Sequence, residues 1–151
     1  MCAKNKKTNV DEFEPIKQLI IDNKISKKEI TDLSKIDYPL FSFKYLQTNS
    51  IKKCESASFF FNFLLRLNKL STEGWNKIRL SPKHKYGMEP LPKDKIKPSL
   101  VPLKDIVTPE VKKLHVFRAN NELYPFVGLQ IGKIFHVFFI ESKFGDIYDH
   151  G

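Results

Sequence analysis

Seven consecutive residues, Ile134-Phe135-His136-Val137-Phe138-Phe139-Ile140, are apolar at every position except His136. A strand with this pattern has no wet face, so it must lie inside a sheet that is covered on both sides. Gly132-Lys133 stands immediately before it, between Ile131 and Ile134, and is a tight hairpin signal. These residues tie the last third of the chain, Leu114 to His150, to an antiparallel meander.

The other strands follow from alternation and punctuation. Leu114, Val116 and Arg118 share one face of the first, with His115 and Phe117 on the other. Ala119-Asn120-Asn121-Glu122 supplies turn residues. Leu123 to Gln130 is the second strand, and Pro125 within it marks an edge or a bulge. Ser142 to Gly145 makes a further turn, and Asp146 to His150 is expected as a short last strand. Hairpin links leave no room for crossovers, so the sheet is expected to be antiparallel.

Cover for this sheet has to come from upstream. Glu55 to Leu70 places Phe59, Phe60, Phe63, Leu64, Leu67 and Leu70 along one broad helical stripe. Phe61 and Leu65 widen it, which predicts a well-buried helix, with Arg66 and Lys69 on its polar side. Ser71-Thr72-Glu73 reads as the cap of a second helix reaching about Leu80. Leu40 to Gln47 alternates as a strand that pairs with the meander, with Phe41, Phe43 and Tyr45 on one face. Nearer the start, Asp11 to Asn23 has helical spacing, and Ser26-Lys27-Lys28-Glu29 matches a capping box that opens a short helix to about Ser34. That pair reads either as part of a helix-turn-helix or as a helical hairpin packed on the sheet. The fold class expected is α+β, a sheet of about four or five strands covered by helices.

A chain of 151 residues is long enough for one core, expected over 10–151 behind a flexible basic tail at 1–9. Two cysteines, Cys2 and Cys54, give no disulfide framework, and the basic start has no apolar run behind it to make a signal peptide. No stretch approaches a membrane span. A cytoplasmic protein without a membrane is the expectation.

Charge carries the functional reading. Lys and Arg number 26 against 17 Asp and Glu, a formal net charge of +9. Much of the excess lies between Lys77 and Lys104, where eight basic residues face two acidic ones. Prolines at 82, 90, 92, 98, 102 and 109 predict a long Pro/Lys-rich loop over about 82–109. Lys77, Arg79, Lys83, Lys85, Lys93, Lys95 and Lys97 could hold phosphates, and Tyr86 could stack on a base. His84 or Glu89 in the same region could move a proton. The bland alternative is a solvated Lys-rich surface with Tyr86 tucked into the core. Asp146-Ile147-Tyr148-Asp149-His150 is a second candidate site, beside the alternative of a frayed terminus. His136 reads as either a satisfied core histidine or a functional one, with Arg118 pointing toward the same region. Phosphate-loop, dinucleotide-binding, nucleophile-elbow and zinc-protease motifs are absent, and no cofactor or metal is expected.

A helix pair followed by a meander, on a small basic chain, resembles the RelE/ParE-like bacterial toxin superfamily from roughly Ser50 to His150. The likeness sits at His115-Val116-Phe117-Arg118, Val127-Gly128-Leu129-Gln130, Phe135 to Ile140, and Ile147-Tyr148-Asp149-His150. The chain departs from that pattern in its N-terminal helices and strand and in its Pro-rich insert. The resemblance implies a metal-independent endoribonuclease acting on RNA or at the ribosome, and an acidic antitoxin-like partner. It implies catalytic roles for Arg118, Tyr148 and His150, to which the basic loop adds His84. The other reading is a non-enzymatic module that binds nucleic acid or protein, of the kind that phages and mobile elements carry.

Overall fold

The computed structural model describes residues 34–82, 85–118 and 124–151. Contacts divide the chain into two units, 1–36 and 37–151, and the elements that follow belong to the second. The expected basic tail, and the helices expected at 11–23 and from Lys27 onward, fall on residues 1–33, outside the described residues.

Five strands form one sheet: β1 Leu40–Ser42, β2 Met88–Pro92, β3 Lys113–Phe117, β4 Phe126–Ile131 and β5 Ile134–Ile140. Their order is β1-β5-β4-β3-β2, which puts the apolar run of β5 between two neighbours. The turn between β4 and β5 is the expected Gly132-Lys133 hairpin, with Gly132 at φ 60. Pro125 stands just ahead of β4 and accepts the Glu141 N–H through its carbonyl at 3.0 Å. Within the β4–β5 ladder Val127 pairs with Phe139 and Gly128 with Val137, leaving Phe138 as the extra residue of a bulge. Phe138 and Phe139 therefore both join the same core cluster, although they are neighbours in sequence.

The sheet is mixed, which corrects the antiparallel expectation. β1 runs parallel to β5, pairing Leu40 with Ile134 and Ser42 with His136. The hairpin argument governs only strands joined directly; β1 reaches β5 after the whole intervening chain, which frees its direction. The strand is also shorter than its alternation predicts. Leu46 N–H turns back to the Phe43 carbonyl, so Phe41 and Tyr45 enter different core clusters, and Phe43 is exposed.

A single helix, α1 (Ala57–Leu80), covers one face; no second helix covers the sheet among the described residues of this unit. Ser56 caps it by accepting the Phe59 N–H. The interruption expected at Ser71-Thr72-Glu73 occurs instead at Gly74, at φ 76. Ser71 and Thr72 donate their hydroxyls back to the carbonyls of Leu67 and Lys69, so they continue the helix instead of capping a new one. Leu67, Leu70, Trp75 and Ile78 of α1 meet Phe117, Phe126, Phe135, Val137 and Ile140 in one cluster. Trp75 Nε1 donates to the Lys133 carbonyl, which pins the helix to the hairpin. α1 is less buried than its stripe predicts: Phe61, Leu64 and Leu65 are exposed, whereas Arg66 is buried. The apolar band is wider than the sheet face it covers.

The opposite face is covered by irregular chain. The region expected as a Pro/Lys-rich loop contributes the edge strand β2, antiparallel to β3. Pro90 and Pro92 are tolerated there because an edge strand has N–H positions with no partner to serve. Short 3-10 turns at Lys93–Lys95 and Val101–Leu103 follow. Ile96, Leu103 and Val107 then pack with Leu114, Val116, Val127, Leu129, Phe138 and Phe139. Asp146 to His150 is not a strand, yet Ile147 and Tyr148 are buried in this same cluster. No helix among the described residues is long and apolar enough to cross a membrane.

Candidate functional site

The end of β3, the edge strand β2 and the segment after β5 converge on one polar cluster. Arg118 follows β3 directly. Pairing of β2 with β3 sets Glu89 opposite Val116, and the Glu89 carboxylate forms an ion pair with the Arg118 guanidinium. The same guanidinium lies 5.7 Å from the Tyr148 ring centroid, over its face. Burial opposes the charge on Arg118, but Glu89 and the ring of Tyr148 outweigh it and hold its pKa above the ordinary value. Burial drives the Tyr148 phenol up to about 12, against the pull of the Arg118 charge. Its buried hydroxyl makes no well-formed hydrogen bond to the described residues, and neither does Arg118 Nε.

His150 lies beside Tyr148, with ring centroids 4.3 Å apart, and stacks on Phe144 at 3.9 Å. Its Nε2 is 2.6 Å from Oε1 of Glu141. Glu141 stands directly after β5 and is fully buried. That carboxylate also accepts the N–H groups of Gly145 and Ile147, so three donors converge on it. A carboxylate oxygen is an acceptor, so this contact assigns an N–H to Nε2 and leaves Nδ1 as the other ring nitrogen for a substrate. A buried carboxylate orienting an imidazole, with a guanidinium beside the same tyrosine, is equipped to move a proton and to stabilise a negative charge.

Arg118, Tyr148 and His150, separated by up to 32 positions in sequence, are thus brought together. His136 is not part of this cluster. It lies against Tyr45 at 5.7 Å on β5, and its Nδ1 is buried without a partner among the described residues. Arg118 turns to Glu89 and Tyr148 instead of toward His136.

The expected phosphate-binding residues divide between the two faces. Lys77 and Arg79 sit on α1, where Lys77 pairs with Glu73 at 2.5 Å and Arg79 donates to Asn76. Tyr86 packs against the helix-side cluster, half-buried, so its ring is committed to the core. Lys85 is exposed nearby. Lys93, Lys95 and Lys97 belong to the segment over the other face. Lys93 reaches the Thr108 carbonyl, and Lys97 holds the Gly145 carbonyl at 2.6 Å and Asp149 at 2.7 Å. Lys83 and His84 lie outside the described residues.

Two residues of consequence went unnoticed in the sequence. Glu141 gave no signal beyond being the first charge after an apolar strand. Helical periodicity sets Arg66 on the polar side of α1, yet it is buried and donates to the carbonyls of Tyr124, at 2.8 Å, and Arg118. Burial lowers its pKa to about 10, so it remains a cation at neutral pH. Its guanidinium also lies over the Phe126 ring at 5.2 Å. Compared with protein-family models, with curated proteins and with solved structures, the chain matches none.

Proposed function

We propose that this chain acts on RNA as a toxin-like endoribonuclease that works through side-chain acid–base chemistry. The observation that carries the reading is that Arg118 and His150 both meet Tyr148, with His150 held by a buried Glu141. In this mechanism Nδ1 of His150 takes the proton from a ribose 2′-hydroxyl. The 2′-oxygen bonds to the adjacent phosphorus as the bond to the 5′-oxygen breaks. The products are a 2′,3′-cyclic phosphate and a 5′-hydroxyl, with the leaving oxygen protonated from water. Glu141 balances the imidazolium charge, Arg118 stabilises the charge gathered on the phosphorane oxygens, and Tyr148 holds both in place. The net charge of +9 favours association with a polyanion.

A second reading is carried by the pairing of Arg118 with Glu89. If that pair persists when RNA is present, the cluster is a clip for the C-terminal segment. The chain is then a binding module whose Lys-rich surface docks a nucleic acid or an acidic protein.

The test uses labelled RNA, with and without ribosomes, in EDTA. Wild type is compared with His150→Ala, Arg118→Ala and His84→Ala, and folding is checked by circular dichroism. The ribonuclease reading expects cleavage that falls at least about a hundredfold in folded His150→Ala. RNA retention that weakens steeply with salt, without cleavage, establishes the binding module. Neither cleavage nor retention removes RNA as the target.

A further inference from the structure

A cleft of about 350 Å³ opens on the sheet face covered by irregular chain, between the Thr48–Ser50 turn and the stretch from Pro98 to Pro102. Its floor is apolar, formed by Phe139 and Ile147, both nearly inaccessible. Pro98 and Pro102 line it as well and add apolar surface. A volume of this size suits a nucleobase with its sugar, and a cleft that pairs apolar lining with a few polar groups suits a base better than a sugar alone.

The polar groups of the cleft decide which ring. None of the lining residues is basic, so the cleft is not built for a phosphate. Ser50 is already engaged: its hydroxyl donates to the Gln47 carbonyl and accepts the Ile140 N–H. Ser99 accepts the Val101 N–H, and the Gln47 amide nitrogen donates to the Tyr45 carbonyl. The side chains of Asn49 and Asp146 line the cleft without a hydrogen bond to the described residues, and both residues are exposed. A carboxylate accepts two parallel N–H groups, and an amide nitrogen donates to a carbonyl oxygen. Guanine is the RNA base that presents two adjacent donors, N1–H and the N2 amino group, beside the O6 acceptor. Adenine, cytosine and uracil do not offer that pair of donors to a carboxylate.

One lining residue of the cleft also contacts the candidate site. Ile147, in its floor, donates its N–H to Oε2 of Glu141 at 3.4 Å, while Oε1 of the same carboxylate meets His150. The carbonyl of Ile147 accepts the Lys97 N–H at 2.8 Å, so the Pro98 wall is fastened to the same segment.

We infer that this cleft binds a guanine base, with Asp146 reading its two donors and Asn49 its O6; the inference rests on the RNA-directed reading above. The test is an amide-resolved NMR titration of the full chain with GMP, AMP, CMP and UMP, using wild type, Asp146→Asn and Asn49→Ala. The expected result is GMP-specific shifts at Asn49, Ser99 and Ile147, with affinity at least about tenfold above the other three nucleotides. Asp146→Asn is expected to lose about tenfold in GMP affinity, and Asn49→Ala less. Equal response to all four nucleotides overturns the inference. So do shifts confined to other residues, no response, or GMP affinity unchanged in Asp146→Asn. A mononucleotide has no scissile bond, so this result is independent of cleavage. Cleavage of RNA without GMP binding sinks the guanine cleft alone. GMP binding without cleavage supports the cleft and sinks the ribonuclease.

Discussion

The guanidinium of Arg66 donates to the main-chain carbonyl of Arg118, so one buried arginine fixes the backbone that presents the other. A second donor of Arg66 holds the Tyr124 carbonyl, which gathers both ends of the β3–β4 connection. Arg66→Met keeps most of the stem and removes the fork, leaving both carbonyls short of a donor. We expect a loss of about 2–4 kcal/mol in urea unfolding. Arg66→Lys keeps the charge but replaces the planar, preorganised fork with a compact, strongly hydrated ammonium, and it should recover only part of the loss. Equal stability of wild type and Arg66→Met would remove the bracing role.

Glu141 and His150 should separate in a stability measurement. Glu141→Ala strands two backbone N–H groups and the imidazole in a buried place, and a cost of about 3–5 kcal/mol is expected. His150→Ala leaves the two backbone bonds intact and should cost about 1–2 kcal/mol. Denaturant midpoints measured side by side decide it. A larger loss in His150→Ala than in Glu141→Ala would mean that ring stacking on Phe144 and Tyr148 outweighs the carboxylate.

Gly128 tolerates no side chain. A Cβ built there would collide with the His136 carbonyl oxygen and lie 2.8 Å from the Phe135 ring. Both belong to β5, and the closer contact is backbone, which cannot rotate away. Gly128→Ala should therefore cost at least about 3 kcal/mol, by prying β4 from β5. A thermal midpoint within a degree or two of wild type would contradict the close approach.

Stability should fall on mild acidification because of His115. Its Nδ1 accepts the Gln130 N–H at 2.9 Å, and burial lowers its pKa below the ordinary histidine value. The unfolded chain therefore takes up this proton at a higher pH than the folded one. The contribution is complete above about pH 6.5, the unfolded value, and is lost as pH falls from there toward the folded value. His136, lowered by burial and by Lys44, adds the same sign. His115→Asn keeps an acceptor near the Nδ1 position and cannot titrate. Its unfolding free energy should fall less than that of wild type between pH 7 and pH 5. Parallel curves would show that His115 does not contribute.

The meander was legible because its evidence is local. β5 declared itself by seven residues with one polar exception, and its hairpin by Gly132-Lys133. The direction of β1 was not legible, because the alternation from Leu40 to Gln47 is the same whichever way the strand pairs. The Pro-rich stretch misled for a related reason. Prolines that forbid a helix are compatible with an edge strand, and only the position of β3 shows that β2 is one. Arg118, Tyr148 and His150 were nameable by side-chain chemistry, but their meeting was visible only for a resemblance in motif shape. Glu141 needed the fold, since a single carboxylate after an apolar strand is ordinarily a solvated end. Arg66 deceived through helical periodicity, which assigns a face but not what the chain lays over that face.

The parallel pairing of β1 with β5 also sets an order of assembly. Among the described strands β1 leaves the ribosome first, and its partner in the sheet leaves last. α1 and the β2–β3 pair can form while synthesis continues, but the strand that joins the two halves of the sheet is still unmade. Until β5 arrives, the exposed edges of β1 and β4 and the phenylalanines meant for β5 are open to other chains. Closing so long a loop is slow in its own right. The edge of β1 therefore stays unpaired in this sheet from its own emergence until that of Ile134 to Ile140.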